Sequence, residues 1–388
     1  MFKFVRRWQK GGTRQMEWYQ VAIVFAVAFL VTYVSVPFSK WLARKMGAID
    51  FPSNRRVNKE PVPRCGGVAL YLGMVAACFV IFLGVRFFRW NLPVLFALGD
   101  VNYLVLYVGI TCMFITGLVD DITQLKAMPK FLAQIAACSI VVFSGVSIGA
   151  VNNFGHGFVD LGWMNYPLSV LYLLVFVNIT NLIDGLDGLA AGLVAIIAAA
   201  LLYLAWIRGN YLLVLCCVAL IAVCLAFLRY NFFPASVFMG DSGSLVLGLL
   251  VGIISITGVV RTQGLMVMIA PLVIAGVPVL DTTSAIIRRL RGHQPIGQAD
   301  MGHVHHRLMK AGLSQRRSVA ALWLCSAALS VMACLMVGAG SRARYIMFAI
   351  LVIIVAAVSW KFGLFKPVLR HHYENRGNVG PRRPHKRK

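Results

Sequence analysis

Long runs of apolar residues constrain this chain more than any other feature of its sequence. A helix of about 20 apolar residues crosses the roughly 30 Å hydrocarbon core of a bilayer. Eleven such runs are present, at residues 18–36, 66–85, 101–119, 131–150, 163–183, 189–207, 211–228, 243–260, 265–287, 319–337 and 344–360. Within lipid every backbone polar group needs a partner in the same chain, which a helix provides. The sequence therefore predicts an all-α polytopic membrane protein with about eleven transmembrane helices.

The connections between these runs are short, which predicts one multi-span domain over residues 18–360 without a separate soluble domain. A basic segment, 1–17, precedes this domain. A basic tail, 361–388, follows it, and because the tail has no apolar period we expect it to be disordered. The nine cysteines lie mostly inside the apolar runs and form no CxxC pair, so they are interpreted as small reduced hydrophobic residues.

The distribution of basic residues decides how the net charge of +24 is interpreted. Odd-numbered loops and the tail hold 26 of the 37 Lys and Arg residues, and the other segments hold 11. The positive-inside rule places the first set in the cytoplasm, where the tail meets anionic lipid headgroups. A membrane partner is therefore expected, and no nucleic acid. Five of the 11 basic residues in the other segments lie within 1–17, which this topology would place outside the cell. Either one apolar run is therefore miscounted or translation starts at Met16.

Polar residues gather in five clusters, and all five fall on odd-numbered loops. The clusters are Pro61–Gly67, Asp120–Asp121, Asn178–Gly188, Met239–Ser244 and Gly302–Arg307. Ionisable residues at membrane depth are costly and usually functional. Since odd-numbered loops share one face of the membrane, we expect a single assembled site in the cytoplasmic loops.

Two of the clusters carry carboxylates at the ends of runs. Asp120 and Asp121 are adjacent, so at a membrane boundary they need a cation or a proton to coexist; a solvated helix end is the alternative. Asp241 and Ser242 precede an apolar run, where they either cap a helix or leave its N–H groups for a phosphate. Both interpretations stay open for this second cluster.

The cluster in loop five combines amides, acids and glycines. Asn178, Asn181 and Asp184 are three residues apart, so neighbouring members share a helix face. Gly185 and Gly188 then allow the backbone to unwind and approach a ligand. A buried amide–carboxylate network is the structural alternative.

The two remaining clusters are basic. His303, His305 and His306 lack the spacing of a zinc site, so with Arg307 they predict a cationic clamp for phosphate. Arg64 stands between stiffening prolines and a pair of glycines in loop one.

Together these segments resemble the polyprenyl-phosphate N-acetylhexosamine-1-phosphate transferase family, also called glycosyltransferase family 4. The resemblance rests on Pro-x-Pro-Arg-x-Gly-Gly at 61–67, the Asp pair at 120–121, the stretch 178–188, Gly-Asp-Ser-Gly-Ser at 240–244 and His-x-His-His-Arg-Leu at 303–308. The motifs keep the family's order over about residues 55–315. The His-x-His-His-Arg form resembles the branch that uses UDP-N-acetylglucosamine (UDP-GlcNAc). Asn58 departs from the histidine common in relatives, which leaves the role of that position open.

The resemblance implies a reaction in which an undecaprenyl (polyprenyl) phosphate lipid attacks the β-phosphorus of UDP-GlcNAc and releases UMP, the first membrane step of cell-envelope polysaccharide synthesis. It implies Mg²⁺, with Mn²⁺ as a substitute, held by Asn181 and Asp241. It further implies a bacterial plasma-membrane enzyme and a homodimer. Catalytic roles are expected for Asp120, Asp121, His305, His306 and Arg307. Substrate-binding roles are expected for Arg64, Gly66, Gly67, Lys130, Asp184 and Asp187.

The role of Asp120 has two interpretations. The resemblance suggests that it deprotonates the lipid phosphate, but a second phosphate pKa of about 6 leaves most of that phosphate dianionic at pH 7. Asp120 and Asp121 would then orient metal-bound water or Lys130 instead.

Two other functions are weighed against this one. The same chemistry with UDP-MurNAc-pentapeptide or another UDP-HexNAc differs only in the donor. A proton-coupled transporter would place its acids near the bilayer midplane and often shows repeated halves, whereas these acids lie at run ends and no internal repeat is evident.

Overall fold

The computed structural model describes residues 16–51, 60–90, 92, 101–152, 158–260, 275–291, 307–309, 312–339 and 341–361. Helices dominate these segments. They are α1 Trp18–Met46, α2 Gly67–Phe87, α3 Tyr103–Thr123, α4 Ala127–Phe143, α5 Asn165–Ile183, α6 Leu189–Trp206, α7 Tyr211–Asn231, α8 Gly240–Ser255, α9 Gly276–Arg291, α10 Gln315–Gly338 and α11 Ser341–Lys361. A short 3₁₀ turn, Gly162–Met164, precedes α5, and a π-helical turn, Ile256–Val260, follows α8. The predicted all-α class is confirmed.

Eight helices are long and apolar enough to cross a bilayer, within the residues that the structure describes. They are α1, α2, α3, α5 with its 3₁₀ turn, α6, α7, α8 with part of its π turn, and α10. The helix in the predicted span 131–150 is α4, which has only 17 residues. The predicted span 265–287 overlaps α9 from residue 276 onwards, and 261–274 lie outside the described residues. The number eleven therefore stays a prediction.

Two short antiparallel hairpins supply the strands in the described segments. Strand β1, Ile49–Asp50, pairs with β2, Val62–Pro63, next to the end of α1. Strand β3, Ala150–Asn152, pairs with β4, Phe158–Asp160, between α4 and α5. The two hairpins lie at opposite ends of the bundle. The β1–β2 hairpin follows the end of α1, on the side where α3 ends and α4 starts. The β3–β4 hairpin follows the other end of α4.

Helix α8 forms the centre of the bundle, and all 16 of its residues are buried. It packs against α3 and α5, with further contacts to α2 and α6. Small residues allow this close packing, because a Cβ at Gly248 would collide with the backbone of Phe176 and Val177 on α5. The start of α8 is thereby held in fixed relation to the neighbouring helix ends.

Aromatic residues mark the end of the bundle opposite the end of α3. Trp18 begins α1 and Trp206 ends α6, and their rings stack with centroids 5.7 Å apart. Trp206 also meets the ring of Tyr211, the first residue of α7. Trp and Tyr are enriched where a membrane meets water, so this end of the bundle is suited to one membrane interface.

Candidate active site

The predicted polar residues of loops one, three and seven meet at one end of the bundle. Arg64 lies just before α2, Asp121 in the last turn of α3, Lys130 in the first turns of α4 and Asp241 in the first turn of α8. Their side chains are linked by ion pairs. Asp184, which follows α5, is close enough to Arg64 and Asp121 for their charges to affect its pKa. The expectation that these odd-numbered loops share one face is confirmed for the described residues.

Asp121 caps the N-terminus of α8 from a different helix. One carboxylate oxygen accepts from the backbone N–H of Asp241 at 2.7 Å. The other accepts from the N–H of Ser242 at 3.0 Å and from its hydroxyl at 2.6 Å. The first N–H groups of a helix have no partner within the helix, so the fully buried Asp121 side chain satisfies two of them. Of the two interpretations left open for this cluster, capping by Asp241 is not seen, because its side chain turns to Arg64 and Lys130. Two of the N–H groups considered for a phosphate are bound by Asp121.

Three acids and two bases alternate in a chain of ion pairs. Lys130 bridges Asp120, with Nζ 3.2 Å from Oδ2, and Oδ2 of Asp241. Arg64 bridges Asp241, with Nη2 3.0 Å from Oδ1, and Asp121, with Nε 3.3 Å from Oδ1. Cations from neighbouring segments therefore allow the adjacent carboxylates of Asp120 and Asp121 to coexist, as one of the two sequence interpretations predicts. The five groups sum to one negative charge.

Asp120 and Asp121 have different environments despite being adjacent. Oδ1 of Asp120 accepts from the backbone N–H of Leu125 at 2.8 Å, and Oδ2 pairs with Lys130. Its side chain is 9% exposed, whereas that of Asp121 is fully buried. Asp120 thus remains the more accessible of the two acids, and Asp121 is committed to holding α8.

Loop one is bound to the segment before α8 by backbone hydrogen bonds. The N–H of Gly66 donates to the carbonyl of Phe238 at 2.9 Å, and that of Gly67 to the carbonyl of Met239 at 2.8 Å. The N–H of Phe238 returns a bond to the carbonyl of Pro63 at 2.8 Å. A Cβ at Gly67 would collide with the backbone of Ser242 and Gly243. The two glycines thus allow two protein segments to approach each other, which brings Arg64 to Asp241.

Asn181 lies next to the first turns of α8. Its side-chain N–H donates to the hydroxyl of Ser244 at 2.9 Å, three residues beyond Asp241. That bond turns the amide oxygen of Asn181 away from Ser244 and leaves it without a hydrogen bond in the described part of the chain. Asn178, one turn earlier, instead donates to the side-chain oxygen of Gln134 on α4 at 2.9 Å. The two amides therefore have different surroundings.

The oxygens of Asn181 and Asp241 fit Mg²⁺. Carboxylate and amide oxygens are the hard ligands that this ion takes, and it usually keeps several waters rather than occupying an all-protein cage. No group of three or more His, Cys, Asp and Glu side chains is arranged to hold a metal among the described residues.

The unwound turn after α5 is held by α7 and the segment that follows it. The backbone leaves the helix at Asp184, and Gly188 has a φ of +76°, so the predicted unwinding is confirmed. The N–H of Gly188 donates to the side-chain oxygen of Asn231 at 3.0 Å, and the amide N–H of Asn231 donates to the carbonyl of Val237 at 2.9 Å. Asp187 accepts from the N–H of Ala235 at 3.0 Å. These contacts tie residues 184–188 to the segment that leads into α8.

Burial changes the protonation of the acids in this turn. Asp184 keeps some contact with solvent, but burial raises the pKa of its carboxyl to about 7, assisted by the nearby charges of Asp121 and Asp187 and opposed by Arg64. Burial also raises the pKa of Asp187, while the hydrogen bond from Ala235 opposes that effect. Asp184 thus changes its charge near neutral pH.

Two residues that organise the site were not singled out from the sequence. Asn231 and Gln134 each make a side-chain hydrogen bond to a site segment. A polar residue at the end of an apolar run, such as Asn231 after 211–228, is a signal that could have identified one of them. Gln134 lies inside apolar sequence, where a polar side chain needs a partner.

The histidine cluster is only partly within the described residues. His303, His305 and His306 lie outside them, so their predicted phosphate contact is not tested. Arg307, Leu308 and Met309 are helical, and Leu308 and Met309 pack against the main hydrophobic core. The predicted catalytic role of Arg307 stays a prediction.

Comparison with known proteins places these motifs in context. Residues 103–259 match the family model described as glycosyl transferase family 4. A Bacillus subtilis protein named probable undecaprenyl-phosphate N-acetylglucosaminyl 1-phosphate transferase is 37% identical over 91% of this chain and 96% of its own length. A Mycolicibacterium smegmatis decaprenyl-phosphate N-acetylglucosaminephosphotransferase is 35% identical over 87% of this chain and 88% of its own length. A Geobacillus kaustophilus phospho-N-acetylmuramoyl-pentapeptide-transferase is 33% identical over 78% of this chain and 93% of its own length.

Proposed function

This chain belongs to glycosyl transferase family 4, and from that membership we propose that it transfers GlcNAc-1-phosphate from UDP-GlcNAc to undecaprenyl phosphate, or a related polyprenyl phosphate, with release of UMP. The observation that carries this proposal is the similarity to the Bacillus subtilis transferase, which extends over almost the whole of both chains. The relative named for the muramoyl-pentapeptide reaction shares less identity over a smaller part of this chain. The N-acetylglucosamine donor is therefore favoured.

Repulsion between the two reactants is the main physical obstacle to this reaction. The donor diphosphate and the lipid phosphate are both anionic, and two unit charges of like sign 4 Å apart repel by about 4 kcal/mol at an effective dielectric constant of 20. Arg64 and Lys130 bring two cations to the site, and both side chains are partly exposed, at 26% and 19%. We propose that these two cations contact phosphate oxygens and that a divalent cation supplies the remaining positive charge.

Asn181 and Asp241 are the residues proposed to hold Mg²⁺. When bound, the ion would neutralise diphosphate charge and polarise the phosphorus under attack. Mn²⁺, which takes the same oxygen ligands, is expected to substitute for it. Asp184 and Asp187, at the turn after α5, are proposed to contact the donor.

We propose a different role for each of the three neighbouring acids. Asp241 provides the metal ligand, and Asp121 fixes the first turn of α8 on which Asp241 is carried. Asp120 holds the ammonium group of Lys130, and we propose that it faces the lipid phosphate. Because that phosphate is already mostly ionised at neutral pH, orienting Lys130 is the larger contribution that we assign to Asp120.

The site is proposed to face the cytoplasm at the bacterial plasma membrane. Arg44 and Lys45 lie in the last turn of α1, at the end of the bundle where Arg64 and Asp121 meet. Basic residues at the ends of membrane helices mark the cytoplasmic side. The nucleotide donor is a soluble cytoplasmic metabolite in this proposal, and the lipid phosphate reaches the same face from the inner leaflet.

The test is a measurement of UMP release by the purified protein. Polyprenyl phosphate and Mg²⁺ are supplied with UDP-GlcNAc, UDP-MurNAc-pentapeptide or UDP-GalNAc in separate reactions. Release with UDP-GlcNAc alone is expected, and release with another donor alone would change the proposed substrate. No release with any donor would contradict the proposal and favour a transporter. Omission of the lipid is the control for simple hydrolysis.

A further inference from the structure

Both oxygens of the proposed metal-binding carboxylate are already paired with cations of the chain. Oδ2 of Asp241 contacts Nζ of Lys130, and Oδ1 lies 3.0 Å from Nη2 of Arg64. Only 9% of the Asp241 side chain is exposed. A divalent cation that approaches this carboxylate therefore meets one of the two basic groups before it meets a free oxygen.

Lys130 and Arg64 differ in how firmly they are held at Asp241. Arg64 is fixed on a second side by the fully buried Asp121 and is carried by a loop that is hydrogen-bonded to Phe238 and Met239. Lys130 has a flexible four-carbon side chain, and its other partner, Asp120, accepts from the backbone N–H of Leu125 and makes no hydrogen bond to α8 in the described residues. Lys130 can therefore leave Asp241 without leaving Asp120, whereas Arg64 cannot move without disturbing the start of α8.

We propose that Lys130 occupies Asp241 in the free protein, gives up that carboxylate when a divalent cation binds, and then pairs with a phosphate of the nucleotide donor. This inference rests on the proposed function. A dication and an ammonium group at one carboxylate oxygen repel each other, so binding of the metal alone is opposed by Lys130. The donor diphosphate supplies the anion that the displaced ammonium group needs.

The exchange couples the two ligands. Metal binding releases Lys130 toward the donor, and donor binding draws Lys130 away from the metal ligand, so each ligand tightens the binding of the other. Such coupling is reciprocal and typically amounts to a factor of about 5 to 150. A lysine that only contacts substrate phosphate would weaken donor binding when removed but would leave binding of the metal alone unchanged.

The test is a titration of Mn²⁺ into the detergent-solubilised full chain, with free Mn²⁺ followed by electron paramagnetic resonance. Lipid is left out, so no turnover occurs, and titrations without protein correct for Mn²⁺ bound by UDP-GlcNAc. We expect Lys130→Met to bind Mn²⁺ alone about tenfold more tightly than the wild type, and UDP-GlcNAc to improve that affinity far less than in the wild type. Unchanged or weaker binding of Mn²⁺ alone by Lys130→Met would overturn the proposal.

Two further variants separate the exchange from a general effect of charge. Lys126→Met removes an equal charge from the exposed start of α4, and it should leave Mn²⁺ affinity within about twofold of the wild type, as expected for a solvated charge. Lys130→Arg restores the charge and should restore weak binding of Mn²⁺ alone. An equal gain in Lys126→Met would show that position 130 has no special role. If wild-type UMP release with UDP-GlcNAc and Mg²⁺ is intact while Lys130→Met fails to shift Mn²⁺ affinity, the exchange is wrong and the proposed function stands.

Discussion

The carboxylate of Asp121 accepts a 2.7 Å hydrogen bond from the backbone N–H of Asp241, which joins the last turn of α3 to the first turn of α8. Ser242 adds two further bonds to the same carboxylate, from its backbone N–H and its hydroxyl. Asp121 thereby fixes the position of Asp241 from a part of the chain 120 residues earlier. The predictions below follow from this contact and its neighbours.

Asp121→Ala is expected to destabilise the folded protein by about 3 kcal/mol, because it leaves two N–H groups of α8 and the guanidinium of Arg64 without their buried partner. The measurement is the midpoint of thermal unfolding in detergent. Asp120→Ala is the matched control and should lower that midpoint much less, since the Asp120 side chain accepts one backbone bond and a partly exposed ion pair. Equal losses in the two variants would contradict the capping role of Asp121.

Gly67→Ala is expected to reduce the rate of UMP release at least tenfold. A tenfold loss corresponds to about 1.4 kcal/mol in the free energy of activation. Its Cβ would collide with the backbone at Ser242 and Gly243, so loop one and the start of α8 must separate and Arg64 must move from Asp241. Gly338→Ala, at the end of α10 with open space around the position of a Cβ, should have normal activity. Normal turnover by Gly67→Ala would show that the close approach is not required.

Asn231→Ala should raise the KM for UDP-GlcNAc and destabilise the protein by about 2 kcal/mol, since Gly188 and Val237 lose a buried hydrogen-bond partner. The control lies at the other end of the same helix, where Asn210 caps α7 through the N–H of Leu213. Asn210→Ala is expected to cost about 1 kcal/mol of stability with an unchanged KM. Steady-state kinetics and thermal unfolding distinguish the two variants, and a similar KM for both would contradict the proposed link between Asn231 and the donor site.

Asn181→Ala and Asp241→Ala should each raise the Mg²⁺ concentration for half-maximal UMP release by about tenfold or more, as loss of one of few protein ligands weakens the site. Asn178→Ala is the control, because the Asn178 amide bonds Gln134 and the backbone of Leu174 instead of facing α8. A metal titration for each variant makes the comparison. A wild-type curve for Asn181→Ala or Asp241→Ala would remove that residue from the proposed ligands.

Stability should depend on pH through Asp184. Because the pKa of its carboxyl rises from 3.8 to about 7 on folding, the folded protein holds a proton that the unfolded chain has released between those pH values. The free energy of unfolding should therefore fall as pH rises from about 4 to 7 and level off above 7. Asp184→Asn cannot titrate, so its unfolding midpoint should fall less than that of the wild type between pH 5 and pH 8. An equal fall in both proteins would contradict the assignment of this carboxyl.

The sequence predicts the membrane helices well because the length of an apolar run is a local property. The runs 66–85, 101–119 and 163–183 correspond closely to α2, α3 and α5. Helix ends are less certain, and α1 continues ten residues beyond its run to Met46, with Pro37 inside the helix. The convergence of loops one, three, five and seven was also predictable, since alternation of helices places those loops on one face.

The partners of individual side chains could not be predicted in the same way. Capping of α8 by Asp121 depends on the packing of α3 against α8, and nothing near residue 241 in the sequence indicates it. The same packing leaves the Asp241 side chain to Lys130 and Arg64, which is why the capping interpretation of Asp241 is not seen. Asn231 was not identified from the sequence because an amide residue at the end of an apolar run is usually part of a solvated helix end.

The contact between Asp121 on α3 and the start of α8 determines when the site can assemble during protein synthesis. Asp121 emerges from the ribosome long before Asp241 and Ser242, so its carboxylate enters the membrane without the groups that will later bind it. A nascent chain that ends between residues 130 and 240 contains Arg64, Asp120 and Lys130 but lacks Asp241 and Ser242. The chain of ion pairs can therefore close only when the first turn of α8 reaches the carboxylate of Asp121.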